Sequence, residues 1–204
     1  MPTLVCDLAS VVSDVSFERV YRRLEAANGG RVALADPQQL NDDMFRAFEA
    51  GQLGESEYAR HVRARLAWHG SDADLVDIFA DLYGSVDVAV MELLVALRGR
   101  GWYLVGLDHH HGPATWGGQY AEQLTVFDRV VATSTGRPGP ELRPTDPRFF
   151  AQVLRDVPGS HGPRLFVADH PEAVAAARRA GLDAHLFRGA AGLRSVCLEL
   201  TVGV

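Results

Sequence analysis

Three carboxylates stand where an apolar run ends: Asp7 closes "TLVC", Asp108 closes "WYLVGL" and Asp169 closes "RLFVA". Carboxylates converging on one edge of a sheet have two chemical uses. They hold a hard divalent cation such as Mg2+ through oxygen, or one of them attacks an electrophile. A single acid at a strand end is also an ordinary turn former, so the three must be weighed together. His109, His110 and His111 follow Asp108 directly. Imidazoles move protons near neutral pH and ligate transition metals. Successive side chains diverge, however, so the run does not read as a ligand set for one ion. Its useful roles are a proton donor and a cation that offsets Asp108.

The elements that must position these residues follow from periodicity. "TLVC" reads as a short buried strand. Residues 13–85 read as almost entirely helical: a pattern over 17–27 stopped by Asn28-Gly29-Gly30, a helix from Asp36-Pro37 to about residue 50, one from Glu55 to Trp68, and one in "SDADLVDIFADLYG" capped by Ser71. From residue 86 strands and helices alternate. "WYLVGL", "VFDRVVAT", "RLFVAD" and "DAHLFRG" are strands. "DVAVMELLVALRGRG", "TDPRFFAQVLRDV" and "PEAVAAARRAG" are helices. The turn-rich stretch 134–147, with four prolines and two glycines, is a loop. Strands apolar on both faces and alternating with helices predict a doubly wound, Rossmann-like parallel α/β sheet. The first strand lies before the helical block, so the block is an insertion. The expected division is a core of residues 1–12 and 86–204 with an α-helical cap of residues 13–85. Ligands in such a sheet bind at the carboxyl ends of the strands, where the three acids stand.

Composition removes several classes. The chain has 204 residues, 47% hydrophobic, enough for one core with a small accessory subdomain. The net charge of −6 carries no nucleic-acid footprint. No apolar stretch reaches the ~18 residues of a membrane helix, and Cys6 and Cys197 sit in apolar runs as buried thiols. The expectation is a soluble cytoplasmic protein, monomer or homodimer, whose partner is a small-molecule substrate or ligand. All twenty basic residues are Arg, so no lysine ammonium is available to any mechanism.

The order of these motifs resembles the haloacid dehalogenase-like hydrolases, in the branch with a small helical cap inserted after the first strand. The resemblance spans nearly the whole chain, from "LVCDLASVV" through "FEAGQLGESEYARHVRARL" to "YLVGLDHHH" and "LFVADHPEA". It implies a Mg2+-dependent phosphatase acting on a small organic phosphate through an aspartyl-phosphate at Asp7. It implies further that Asp7, the Ala9 carbonyl and Asp169 hold the Mg2+, and that Ala9, Ser10, His110 and Arg22 line the substrate, with Phe17, Arg19 and Arg23 as further candidates in the cap. Several motif positions depart from the family. Ala9 stands where an acid commonly protonates the leaving group. Asp108 stands where a Ser or Thr hydroxyl donates to phosphate. The family's Lys is missing, and Arg143 is its best positional match. An ionised carboxylate ~4 Å from a phosphate opposes each unit of charge by roughly 4 kcal/mol at an effective dielectric of ~20. The expected catalytic set is therefore Asp7, Asp108, His109 and Arg143. Two alternatives stay open: a catalytically degenerate or repurposed member that binds a ligand, regulates, or does other biosynthetic chemistry with Asp7, Asp108 and His; and a metal-free dehalogenase.

Overall fold

The computed structural model describes residues 1–30, 32–49, 52–108, 120–132, 144–155, 157 and 162–202. β1 (Thr3–Asp7) leads through a tight turn into β2 (Ser13–Val15). A helical insertion follows: α1 (Phe17–Ala27), a 3-10 turn (Pro37–Leu40), α2 (Asp43–Glu49), α3 (Glu55–Leu66) and α4 (Asp72–Ala80). β3 (Tyr83–Val86) closes it. The chain then runs α5 (Val88–Gly99), β4 (Tyr103–Asp108), α6 (Ala121–Leu124), β5 (Arg129–Ala132), α7 (Pro147–Leu154), β6 (Arg164–Ala168), α8 (Pro171–Arg179), β7 (Asp183–Leu186) and α9 (Ala190–Val202).

The main sheet is parallel, in the order β5-β4-β1-β6-β7. The first strand is central because "TLVC" can be buried on both faces, and Leu4, Val5 and Cys6 are fully enclosed. One face packs under Phe149, Phe150 and Val153 of α7 and Ala173, Ala176 and Ala177 of α8. The other carries Leu4, Cys6, Leu8 and Leu104, covered by Leu93 and Leu97 of α5 and Leu193 and Cys197 of α9. That second cluster continues without a break into Phe17, Phe45, Tyr58 and Phe79 of the insertion. Phe45 binds this part together, with its ring 5.2 Å from Phe17 and 6.0 Å from Phe79. The doubly wound parallel sheet expected from the sequence is thus present.

Two expectations need correction. Residues 13–85 are not wholly helical at their ends: β2 and β3 pair antiparallel as a two-stranded ribbon separate from the main sheet. Three-residue pairing is too short to leave a period in the sequence. The helix expected from residue 36 to residue 50 is broken at Asn41-Asp42, because the Asp42 side chain accepts the Phe45 N–H at 2.8 Å and restarts the chain as α2. Helix α9 is an element for which the sequence pattern gives no signal. "AAGLRSVCLELTV" is apolar around most of its circumference and has no contrast between faces to read.

Candidate functional site

The turn after β1 puts Asp7 at the carboxyl edge. Its Cα lies level with Leu107 of β4, and the Leu8 N–H extends the ladder to the Leu107 carbonyl at 3.1 Å. The chain then winds tightly. Val12 and Ser13 both donate to the Leu8 carbonyl, at 3.1 and 3.4 Å, and Ala9 bridges to Ser13. Ser10 sits at φ 63, a left-handed conformation for a residue with a Cβ. Such a residue costs on the order of 1 kcal/mol and persists where surrounding bonds fix it. Gly106 makes the turn possible, since a Cβ there would lie 2.9 Å from Leu8 Cδ2. Leu8 therefore lies across β4 directly beneath the segment that carries Asp108.

The strands flanking β1 bring the other two acids. Asp108 ends β4, one residue beyond the partner of Asp7. It is 7% exposed, and among the described residues it is the only buried carboxylate, with Thr3 and Ser13 the other buried polar side chains. Asp169 follows β6, two residues beyond the Val167 that pairs with Cys6, and is exposed. The end of β6 is fixed by the Phe187 N–H donating to the Ala168 carbonyl at 2.9 Å. With neighbouring strands ~4.8 Å apart, Asp7 stands between Asp108 and Asp169 on three adjacent strands. The Cys6 thiol beside Asp7 is pushed well up by burial, with the Asp7 charge and Cys197 adding to it, so it is neutral and not a nucleophile.

The remaining expected residues divide. Ala9 and Ser10 lie in the turn just after Asp7, partly buried. Arg22 is on α1 with its guanidinium 2.8 Å from Glu18, 74% exposed. The other cap candidates are also committed to protein contacts. Phe17 is in the core. Arg23 reaches Asp77 and Asp81, which hold its guanidinium protonated against partial burial. Arg19 bonds Asp14, the Asp81 carbonyl and the Leu82 carbonyl. His109, His110 and Arg143 lie outside the described residues.

Sequence reasoning missed Tyr120. Its hydroxyl donates to the Gly84 carbonyl, linking the start of α6 to the ribbon, and burial pushes its phenol up. A tyrosine after a glycine-rich stretch carries no signal of such a contact.

No protein-family model matches the chain, and no curated protein does. Solved structures do. The HAD family enzyme BT-2542 of Bacteroides thetaiotaomicron, in complex with magnesium and inorganic phosphate, aligns at TM-score 0.65 and 17% identity, over 91% of this chain and 93% of that one. A HAD-like family hydrolase of Porphyromonas gingivalis aligns at TM-score 0.65 and 20% identity, over 91% and 90%. The chain has the haloacid dehalogenase-like fold. A hydrolase of Streptococcus pneumoniae TIGR4 follows the chain over 96% of its length and 97% of its own, at TM-score 0.56 and 19% identity. In this haloacid dehalogenase-like fold the three acids occupy the carboxyl edge of the three central strands, and the helical insertion leaves the sheet directly after Asp7.

Proposed function

We propose that this chain is a hydrolase of a small organic phosphate, with Asp7 as nucleophile. The observation that carries this reading is the strand order β4-β1-β6, which sets Asp108 and Asp169 on either side of Asp7. An Asp7 oxygen attacks phosphorus and the bond to the leaving oxygen breaks. Water then cleaves the acyl phosphate, which releases inorganic phosphate and restores Asp7. Ala9 cannot protonate the leaving group, so that proton comes from solvent or from the histidines after Asp108. Helices α1–α4 act as the cap over the site, and the protein works in the cytoplasm, consistent with the free thiols of Cys6 and Cys197.

Mg2+ fits the donor chemistry. Asp7, Asp169 and the Ala9 carbonyl are all oxygen ligands, as a hard cation requires. Among the described residues no three His, Cys, Asp or Glu side chains form a metal cluster, so backbone and water oxygens must complete the shell. The Ala9 carbonyl accepts the Val11 N–H at 2.8 Å, which leaves a lone pair. Bound there, Mg2+ supplies the positive charge that a lysine would otherwise bring, and BT-2542 has been crystallised with magnesium and phosphate.

Asp108 favours a second reading. A buried carboxylate next to Asp7 suits a protein of this fold turned to ligand binding or to chemistry other than phosphate hydrolysis. Hydrolysis of a generic aryl phosphate with Mg2+ separates the two. Turnover that disappears in Asp7→Asn supports the first reading. Absence of turnover, with Mg2+ binding by calorimetry intact in the wild type and lost in Asp169→Ala, supports the second.

A further inference from the structure

α5 is built as a helix to be covered on every side. Of its residues "VAVMELLVALRG" only Glu92 and Arg98 carry charge. Val90, Leu93, Leu94 and Leu97 face the sheet, yet Val88 and Val95 are 64% and 58% exposed on the opposite side. A helix apolar around its circumference is normally enclosed. On neighbouring α9, Leu198 is 47% exposed, extending the same surface. Exposed apolar residues that share one face and flank an apolar groove suit an interface.

The surface has relief. At 100° per residue, the outward ridge of α5 has two flanks. On one flank a groove of about 580 Å3 runs between α5 and α6, lined by Met91, Val95, Gln123 and Val126. On the other a hollow of about 220 Å3 lies between α5 and α9, lined by Leu93, Ala96, Cys197 and Leu198. The Cys197 thiol there is pushed up to about 11 by burial, so this floor is uncharged.

Charge divides along the same line. Arg100 and Arg194 border the hollow on the α9 flank. Glu122 borders the groove on the α6 flank. Among the described residues none of the three makes an ion pair, and neither does Glu92 on the ridge. Arg98, by contrast, is satisfied by Asp128 and the Thr125 carbonyl.

We propose that this face is the interface of a homodimer. A ridge beside a groove, with cations on one flank and an anion on the other, is complementary to itself. A two-fold axis running alongside α5, between it and α6, sets Val95 of each copy into the α5–α6 groove of the other. The same operation lays Arg100 and Arg194 over the second copy's Glu122. Two-fold interfaces are isologous, so one patch must satisfy both partners, and the pairing of unpaired charges selects a second copy over an unrelated apolar partner.

Sedimentation of the full chain at micromolar to hundred-micromolar concentration tests this. The wild type is expected to sediment as a dimer, and Val95→Glu as a monomer with an unchanged circular dichroism spectrum, because Val95 is exposed in the single chain. Arg100→Glu is expected to weaken association at least tenfold, and adding Glu122→Arg to restore it. A wild type that stays monomeric across this range overturns the proposal and leaves the face to another occupant. A dimer indifferent to both Val95→Glu and Arg100→Glu overturns it equally. Neither variant touches Asp7, Asp108 or Asp169, so the result stands apart from the proposed hydrolysis.

Discussion

Arg19 donates through Nη1 to Asp14 Oδ2 at 2.8 Å, and this pair sits where the helical insertion enters and leaves the sheet. Asp14 belongs to β2, the entering strand. The same guanidinium donates through Nε to the Asp81 carbonyl at 2.6 Å and through Nη2 to the Leu82 carbonyl at 3.0 Å, just before the returning β3. One side chain thus binds both connections. Only a planar fork with several fixed donors can do this, and a lysine could not.

Arg19→Leu should therefore loosen the insertion. Two carbonyls lose charged donors and Asp14 loses its partner. A cost of about 2 kcal/mol is expected from bonds to charged groups, read as a lower midpoint in urea unfolding. Arg19→Lys should recover less than half of it.

Gly84 is the second half of this arrangement. A Cβ there would stand 2.7 Å from Asp14 Cγ and 2.8 Å from Arg19 Nη2. Gly84→Ala should push the Asp14 carboxylate and the Arg19 fork aside and destabilise by about 1 kcal/mol through the weakened pair. In a double-mutant cycle, Asp14→Ala should cancel much of that cost, because it removes the atoms in the way. Strictly additive losses would show that the crowding is relieved elsewhere.

Asp42 connects α2 to α3. Burial works against its charge, but the Phe45 N–H, His61 at 2.6 Å and Arg65 together hold its carboxyl below the usual range. A depressed folded pKa contributes stability that is present above the unfolded value of ~3.9 and lost as pH falls through the folded one. Asp42→Asn should consequently lower the thermal midpoint at pH 7 and have less effect at pH 3, followed by calorimetry across that window.

Ala9 predicts substrate preference. A leaving group that departs as a stable anion needs no proton, whereas an alkoxide does. Aryl phosphates should be hydrolysed faster than alkyl phosphates by a wider margin than in Ala9→Asp. That variant should raise the alkyl rate by 10²-fold or more, since general acid catalysis contributes typically 10²–10⁴-fold. Equal ratios in both proteins would remove position 9 from the mechanism.

Asp108→Ser removes a buried negative charge beside Asp7 and restores a donor. Aryl phosphate hydrolysis should rise roughly tenfold to a hundredfold, or ~1.4–2.7 kcal/mol of barrier, with the gain dependent on Asp7 and on Mg2+. A slower variant would make Asp108 a working acid of the wild-type reaction.

The local sequence was enough to determine a buried first strand and the parallel sheet it belongs to. "TLVC" and "RLFVA" are apolar on both faces, and such strands are buried between helices wherever they occur. Their closing acids, Asp7 and Asp169, must therefore emerge at one edge. Helix starts at Ser71 and Asp146-Pro147 are equally local, because a cap is a bond within one turn, and both are present. Tertiary structure alone decided the rest. It made Asp108 buried, through strand order and the covering of β4. It turned Arg19 from a surface cation into a clasp 62 residues long in sequence, and it set Tyr120 against Gly84. Contacts of that kind depend on where distant segments meet, and a side chain's type and spacing record only what lies within a few residues of it.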